Sequence, residues 1–492
     1  MDNLKVKQLL FTLSVIVIVA ISGFFFINDG VDFGSPTPAG SNEQNENQEI
    51  PEVILNDDEL MEKFELALAT IEGNYVSEVD RQKLIEGAIN GMVETLDDPF
   101  SDYMDVSSAT SFQESLSSHF EGIGAEVGMI DGNVSIISPM RESPAERAGL
   151  LPNDAIVEID GESIEGWSVN EAVALIRGEG GTSVTLTIQR SGQTNPFDVE
   201  IERDRIQIDS VRSDTFEQNG MTIGRLEITS FAEDVGSQFD QLLQELEADG
   251  IDGLIVDVRG NPGGYLDGAQ NIGNLLIPDE KPVVQIEHGD GEIETYHSQM
   301  EGKKPYPIVG LINQSSASAS EILAAALKES GEYDLVGTTT FGKGTVQKSI
   351  QMNDGSALKI TTDRWLTAGG NTIDQEGVEP TIEQDQPDYF YSFALSIEEP
   401  MKLIQVSEQI GRAQDMLQGL GFDPGRVDGY FDENTEEAVR EFQETHDLTS
   451  DGKLTEETAS KLQEEILSHM RDNENDAQLN RAIEVLIEQA SE

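Results

Sequence analysis

Four serines fall in the eight residues "NQSSASAS" (313–320), and a helical run follows at once. Hydroxyl side chains ahead of a helix ordinarily cap it. Four of them packed among alanines raise the question of a nucleophile, and a serine nucleophile needs a base. No G-x-S-x-G or H-E-x-x-H pattern is present, and none of His119, His288, His297, His446 and His469 lies in a motif that pairs it with a serine. A lysine made neutral by burial can do the same work. The candidate is Lys343 in "TTFGKGTVQ", where Gly342 and Gly344 let another backbone approach and leave the amine open. Gln347, four residues on, shares a face with Lys343 in an extended segment. By spacing alone, a solvated lysine in a glycine turn stays open beside this reading. An oxyanion site needs two converging N–H donors. The start of the helix after Ser318 carries free N–H groups, and "GNPGG" (260–264) offers either a second donor or a plain tight turn after a buried strand.

The elements that must position these groups follow from patterning. Leu9–Ile27 is a stretch of 19 residues without charge, flanked by Lys5 and Lys7 before and Asp29 and Asp32 after. At 1.5 Å per residue it spans roughly 28 Å, close to a bilayer's hydrocarbon core. The positive-inside rule then puts residues 1–8 in the cytoplasm and the bulk of the chain outside the cell membrane, on a single-pass anchor. A cleaved signal peptide is the alternative. Residues 28–56 read as a flexible linker. Residues 57–106 hold two amphipathic helices, 107–203 a β-rich module with glycine turns, and 204–398 alternating strands and helices of an α/β core. Residues 399–472 form a small all-α module whose helices are expected to start at Asn434 and Thr455. Residues 473–492 are a last amphipathic helix. The apolar stripes of 57–100 and 477–490 suggest a homodimer seam.

The chain carries 94 acidic and 30 basic residues, a net charge of −64. Such a surface repels nucleic acid and anionic lipid, and a saline habitat is the expectation drawn from it. With no cysteine in the sequence, disulfides, thiolate nucleophiles and Cys-ligated metals are excluded. No metal or other cofactor is called for.

Taken together, "SASASEILAAAL", "TTFGKGTVQ", "DVRGNPGG" and "FEGIGAEV…SPAERAGL" resemble the C-terminal processing peptidases, envelope-associated serine peptidases with an inserted PDZ domain. The resemblance covers about residues 57–390. It implies Ser318 as nucleophile, Lys343 as base and Gln347 as the partner orienting it. The implied oxyanion donors are the N–H of Ala319 and that of Gly264, with Gly263 as the alternative. Ser315, Ser316 and Ser320 are left to turns, packing and capping. The family more often has a glycine before its A-S-A stretch than the "NQSSAS" found here. The implied PDZ carboxylate loop is Gly122, Ile123, Gly124 and Ala125, and Asn153 stands where the family commonly has glycine. Arg177 is a candidate for coupling the PDZ domain to the active site. Residues 405–470 resemble peptidoglycan-binding-like domains, with Val439, Phe442 and Leu448 as core.

The expected protein is thus a membrane-anchored, extracytoplasmic serine endopeptidase. It would cleave proteins in their C-terminal regions, with the PDZ domain recognising free C-termini and peptidoglycan as a partner. Two other readings are a catalytically silent adaptor joining peptides to the wall and a hydrolase of wall peptides.

Overall fold

The computed structural model describes residues 56–491 apart from Asp131, Gly192, Thr194, Ser392 and Phe393. The expected anchor at Leu9–Ile27, and the linker up to residue 55, lie outside the described residues. Among the described residues no helix is long and apolar enough to cross a membrane.

Residues 56–78 belong to a first compact unit and 79–491 to a second. In the first, the helix Asp57–Asn74 starts at Asn56, whose side chain accepts the Glu59 N–H at 3.0 Å while Glu59 returns a bond to the Asn56 N–H. This reciprocal cap satisfies two otherwise orphan donors. Leu60, Met61, Phe64 and Ile71 of that helix are exposed.

The second unit is built on a six-stranded sheet in the order Val211–Gln218, Met221–Ile228, Gly253–Asp257, Ile308–Ile312, Asp334–Gly337, Ile382–Glu383. The first pair is antiparallel and the rest are parallel. "GLIVD" and "IVGLI" are buried throughout, as parallel strands covered on both faces must be. Leu254, Val256, Ile308 and Ile312 point to one face, against the helices Val235–Asp249, Leu266–Leu276 and Ala319–Glu329. Ile255, Val309 and Leu311 point to the other, where Leu479, Ile483 and Leu486 of the last helix, Ala477–Ala490, complete the core. The apolar stripe of 477–490, read from sequence as part of a dimer seam, is therefore buried within the chain's own core. The sheet needs a second cover, and this helix supplies it.

A second, antiparallel sheet holds Asp102–Met104, Ala357–Leu366, Pro282–Glu287 and Ile293–His297, with Thr345–Gln351 paired to Ala357–Leu366. The β-rich module is a six-stranded sheet made mainly of Ala125–Ile130, Asn133–Pro139, Ala155–Ile159, Ser183–Gln189 and Phe197–Glu202, with the helix Val169–Ile176 on its core. The chain enters and leaves it through one antiparallel ribbon, His119–Gly122 against Asp204–Gln207. Asn153 sits at φ +66, a left-handed conformation that asparagine tolerates better than other non-glycine residues.

The all-α module consists of Glu408–Gly419, Glu433–Thr445 and Glu456–Arg471 around Met416, Phe431, Val439, Phe442 and Leu462, with Leu448 packed at the edge. Thr455 caps its helix as expected, but Asp432 rather than Asn434 caps the preceding one, accepting the N–H of Asn434 and Thr435. A carboxylate two residues earlier satisfies both donors at once.

Candidate active site

Ser318 stands between the buried strand Ile308–Ile312 and the helix Ala319–Glu329, at φ 55 and ψ −113. A non-glycine residue in that conformation is strained, and such strain concentrates at functional sites. A sharp strand-to-helix turn of this kind is what presents a nucleophilic serine in the G-x-S-x-G elbow. Here it arises without that motif. The turn is held by its neighbours. Ser316 Oγ donates to the Val258 carbonyl at 2.9 Å, and Ser320 Oγ to the Asn261 carbonyl at 2.9 Å. The Gly260 and Ser315 N–H groups both donate to Asn313 Oδ1. The serines around Ser318 thus tie its turn to the 258–261 segment, as expected of packing and turn residues.

Among the described residues the Ala319 N–H has no acceptor, and it opens the helix with its dipole behind it. The two glycines of "NPGG" differ. The Gly263 N–H is spent on Asn261 Oδ1 at 2.8 Å, whereas the Gly264 N–H has no acceptor among the described residues. Of the two alternatives, the structure leaves Gly264 as the available donor. Gly263 serves the packing instead. At φ +107, a Cβ there would lie 2.8 Å from the Ala317 oxygen and 2.9 Å from the Ser318 Cβ. Only glycine lets this loop and the serine turn approach so closely. Asn261, fully buried and donating to the Ile228 carbonyl at 2.7 Å, shapes the loop.

Lys343 is half-buried. Its carbonyl accepts the Trp365 indole N–H at 2.8 Å, and Cβ atoms at Gly342 and Gly344 would collide with the 374–377 backbone or with Asp374. The glycines do admit another backbone, as expected. Burial pushes the Lys343 ammonium below the ordinary lysine range and the Lys359 charge adds to this, while Asp98 and Glu321 pull the other way. The amine lies over the Phe100 ring, 4.9 Å from its centroid, and no hydrogen bond joins it to Ser318 Oγ. Gln347 is on the adjoining strand, but its amide donates to Thr345 Oγ1 at 2.8 Å and Thr361 Oγ1 at 3.3 Å rather than to Lys343.

A residue that sequence reasoning missed joins the two halves. Glu321, with no exposed surface, accepts the Ser318 N–H at 2.8 Å and the Lys343 N–H at 2.9 Å on Oε2. Its Oε1 accepts the Gly342 N–H and Thr340 Oγ1, both at 2.6 Å. The signal was available as a capping-box glutamate three residues after Ser318. Its second set of partners, around residue 342, was not.

In the β-rich module, the N–H groups of Ile123 and Gly124 lack acceptors among the described residues, while the Ile123 carbonyl takes the Ala145 N–H at 2.8 Å. This leaves two unpaired donors in the loop expected to hold a carboxylate. Arg177 ion-pairs with Glu114 of the helix Val106–Leu116, and its guanidinium lies 5.4 Å from the Phe120 ring centroid. It therefore ties the end of the helix Val169–Ile176 to the helix Val106–Leu116, with none of the expected catalytic residues among its partners.

An α/β core with a strained serine at a helix N-terminus, and an inserted β-rich module, define a serine protease. The comparisons agree. Residues 222–384 match the model of peptidase family S41, 136–190 a PDZ domain and 406–462 a putative peptidoglycan binding domain. Residues 18–108 match the N-terminal domain of the activating protease CtpB. Over 429 residues the chain is 46% identical to carboxy-terminal processing protease CtpB of Bacillus subtilis (strain 168), covering 87% of this chain and 89% of that one. CtpA of the same strain is 41% identical, with 87% and 91% covered. The solved photosystem II D1 C-terminal processing protease is 27% identical and covers 67% of this chain and 94% of its own, at a TM-score of 0.40. The chain belongs to the carboxy-terminal processing proteases of peptidase family S41.

Proposed function

We propose that this protein is a membrane-anchored, extracytoplasmic endopeptidase in which Ser318 attacks the scissile carbonyl and Lys343 is the general base. The observation that carries this reading is the strained Ser318 turn, whose N–H shares one buried carboxylate oxygen with the N–H of Lys343. Ser318 Oγ loses its proton to neutral Lys343 and forms the tetrahedral intermediate. The N–H groups of Ala319 and Gly264 hold the oxyanion. Protonated Lys343 then donates to the leaving amine, and water hydrolyses the ester with Lys343 as base again. The amine must swing from the Phe100 ring toward Ser318 Oγ, and Gln347 must turn from its threonines to orient it. Catalytic hydrogen bonds often form only when substrate binds.

The free N–H groups of Ile123 and Gly124 support capture of a substrate's terminal carboxylate, with the peptide added as a strand to the PDZ sheet. This directs cleavage to C-terminal regions. The uncharged stretch Leu9–Ile27 and its flanking charges support a single-pass anchor with the catalytic part outside, and the C-terminal module supports contact with peptidoglycan. The exposed apolar residues of Asp57–Asn74 support a homodimer formed there.

Full-length wild type, Ser318→Ala and Lys343→Ala incubated with an unfolded protein test the central claim. Cleavage by wild type alone is expected. Turnover that survives in Ser318→Ala refutes the nucleophile, and turnover that survives in Lys343→Ala refutes the base. Alkaline washing of membranes tests the anchor, since a peripheral protein is released.

A further inference from the structure

The turn Asp98–Ser101 lies between the helix Arg81–Glu94 and the strand Asp102–Met104, outside the stretch that matches the S41 peptidase model. The catalytic scheme above gives it no role beyond the resting place of the amine, yet it touches Lys343 and reaches Gln347 through Thr361. The Phe100 ring lies under the Lys343 amine at 4.9 Å. Asp98 Oδ1 accepts the Phe100 N–H at 3.1 Å and Oδ2 accepts Ser101 Oγ at 2.6 Å, so the carboxylate sets the angle at which the ring is presented. Ser101 Oγ in turn accepts the Thr361 N–H at 3.1 Å, and Thr361 Oγ1 accepts the Gln347 amide. The strand holding Thr361 pairs with that of Gln347 through an irregularity between Val346 and Gln347, which brings the two side chains face to face.

We propose that the turn Asp98–Ser101 is a positioning element for the proton-transfer groups of this protease: Phe100 seats the Lys343 amine on its ring, and Asp98, through Ser101 and Thr361, holds Gln347. A cation is attracted to the face of an aromatic ring, so the seat favours the protonated amine. Asp98 does the same by charge. Its own carboxyl is pushed up by burial, but the hydrogen bonds with Ser101, Thr361 and Phe100, and the Lys343 charge, hold it below the usual carboxylate range and hence ionised. The charged groups that act on Lys343 are Asp98 and Glu321, which favour the ammonium, and Lys359, which opposes it. The turn therefore opposes the burial that lowers the amine's proton affinity, so that Lys343 loses its proton, and becomes able to accept that of Ser318, at a higher pH than burial alone would set.

This inference rests on Lys343 being the base. The test is the pH dependence of kcat/KM for full-length wild type, Phe100→Leu, Phe100→Tyr, Asp98→Asn and Lys343→Ala. The rate rises with pH as the base of the free enzyme loses its proton. Removing a group that favours the ammonium must shift that rise to lower pH. Phe100→Leu and Asp98→Asn are each expected to move its midpoint down by about half a unit or more, whereas Phe100→Tyr, which keeps the ring face, leaves it in place. A uniform fall in rate with an unmoved midpoint in Phe100→Leu and Asp98→Asn overturns the proposal, because that is what mere loss of packing does. Asp98→Asn is isosteric, so it decides the matter if Phe100→Leu folds poorly. Activity persisting in Lys343→Ala sinks the base assignment instead, and the two failures are told apart.

Discussion

The backbone N–H of Lys343 donates to Glu321 Oε2 at 2.9 Å, the same oxygen that takes the N–H of Ser318 at 2.8 Å. The expected nucleophile and the expected base are thus tied to one carboxylate through their backbones. One buried carboxylate does this by accepting four donors, two on each oxygen.

Glu321→Gln keeps the shape but replaces one acceptor oxygen with an NH₂ that faces N–H donors. Leaving buried donors unpaired costs about 1–3 kcal/mol, and misplacing reacting groups by about 1 Å costs on the order of 100-fold in rate. Both a lower unfolding midpoint and a fall in kcat/KM of that size are expected from thermal melts and steady-state assays. Wild-type turnover would mean that the carboxylate has no part in aligning the site.

Gly263→Ala brings a methyl group within 2.9 Å of the Ser318 Cβ and 2.8 Å of the Ala317 oxygen, at φ +107. Either the "NPGG" loop or the serine turn must retreat. Strain of this kind costs about 1–3 kcal/mol, and activity should fall at least about 100-fold because the two expected oxyanion donors no longer converge. Active-site titration with a serine-reactive fluorophosphonate, run beside turnover, reads the loss. Labelling at the wild-type rate would contradict it.

Asp476 begins the C-terminal helix and takes Arg259 Nη1 and Nη2 at 2.9 Å each, while Asp257 takes Nη2 at 2.7 Å. Arg259 immediately precedes "GNPGG", so the end of the chain braces the loop expected to supply an oxyanion donor. Losing one partner of a buried pair costs about 3–5 kcal/mol; with Asp257 still present, Asp476→Ala is expected to cost about 2–3 kcal/mol. Burial pushes the Asp476 carboxyl up, but the Arg259 bonds and charge hold it below the ordinary range. Its stabilisation is therefore complete above the unfolded carboxylate pKa of about 3.9 and is lost as pH falls through the lower folded value. Denaturant titrations at neutral pH should separate wild type from variant, and the separation should shrink as pH falls below about 4. Equal stability at neutral pH would dismiss the brace.

With 94 acidic against 30 basic side chains, self-repulsion opposes the compact state. The Debye length shrinks from about 10 Å at 0.1 M salt to about 3 Å at 1 M. The unfolding midpoint should rise by about 5 °C or more over that range. A flat melting temperature against potassium chloride would show that self-repulsion among the acidic side chains does not limit stability.

The sequence by itself determined what is local or chemical: the serine and lysine motifs, the order of modules, the buried core strands and the Thr455 cap. Such features are written in spacing and side-chain type within about a dozen residues. Only the tertiary structure decided which donors remain free, because Gly263 and Gly264 differ by a single bond to Asn261. It also decided that Glu321 joins residues 318 and 343, and that the amphipathic helix 477–490 covers the chain's own sheet. It set Phe100 beneath Lys343 as well. An amphipathic stripe announces that it will be buried but not against what. Likewise a buried carboxylate announces that it needs donors, and which distant backbone supplies them depends on how the sheets and loops close.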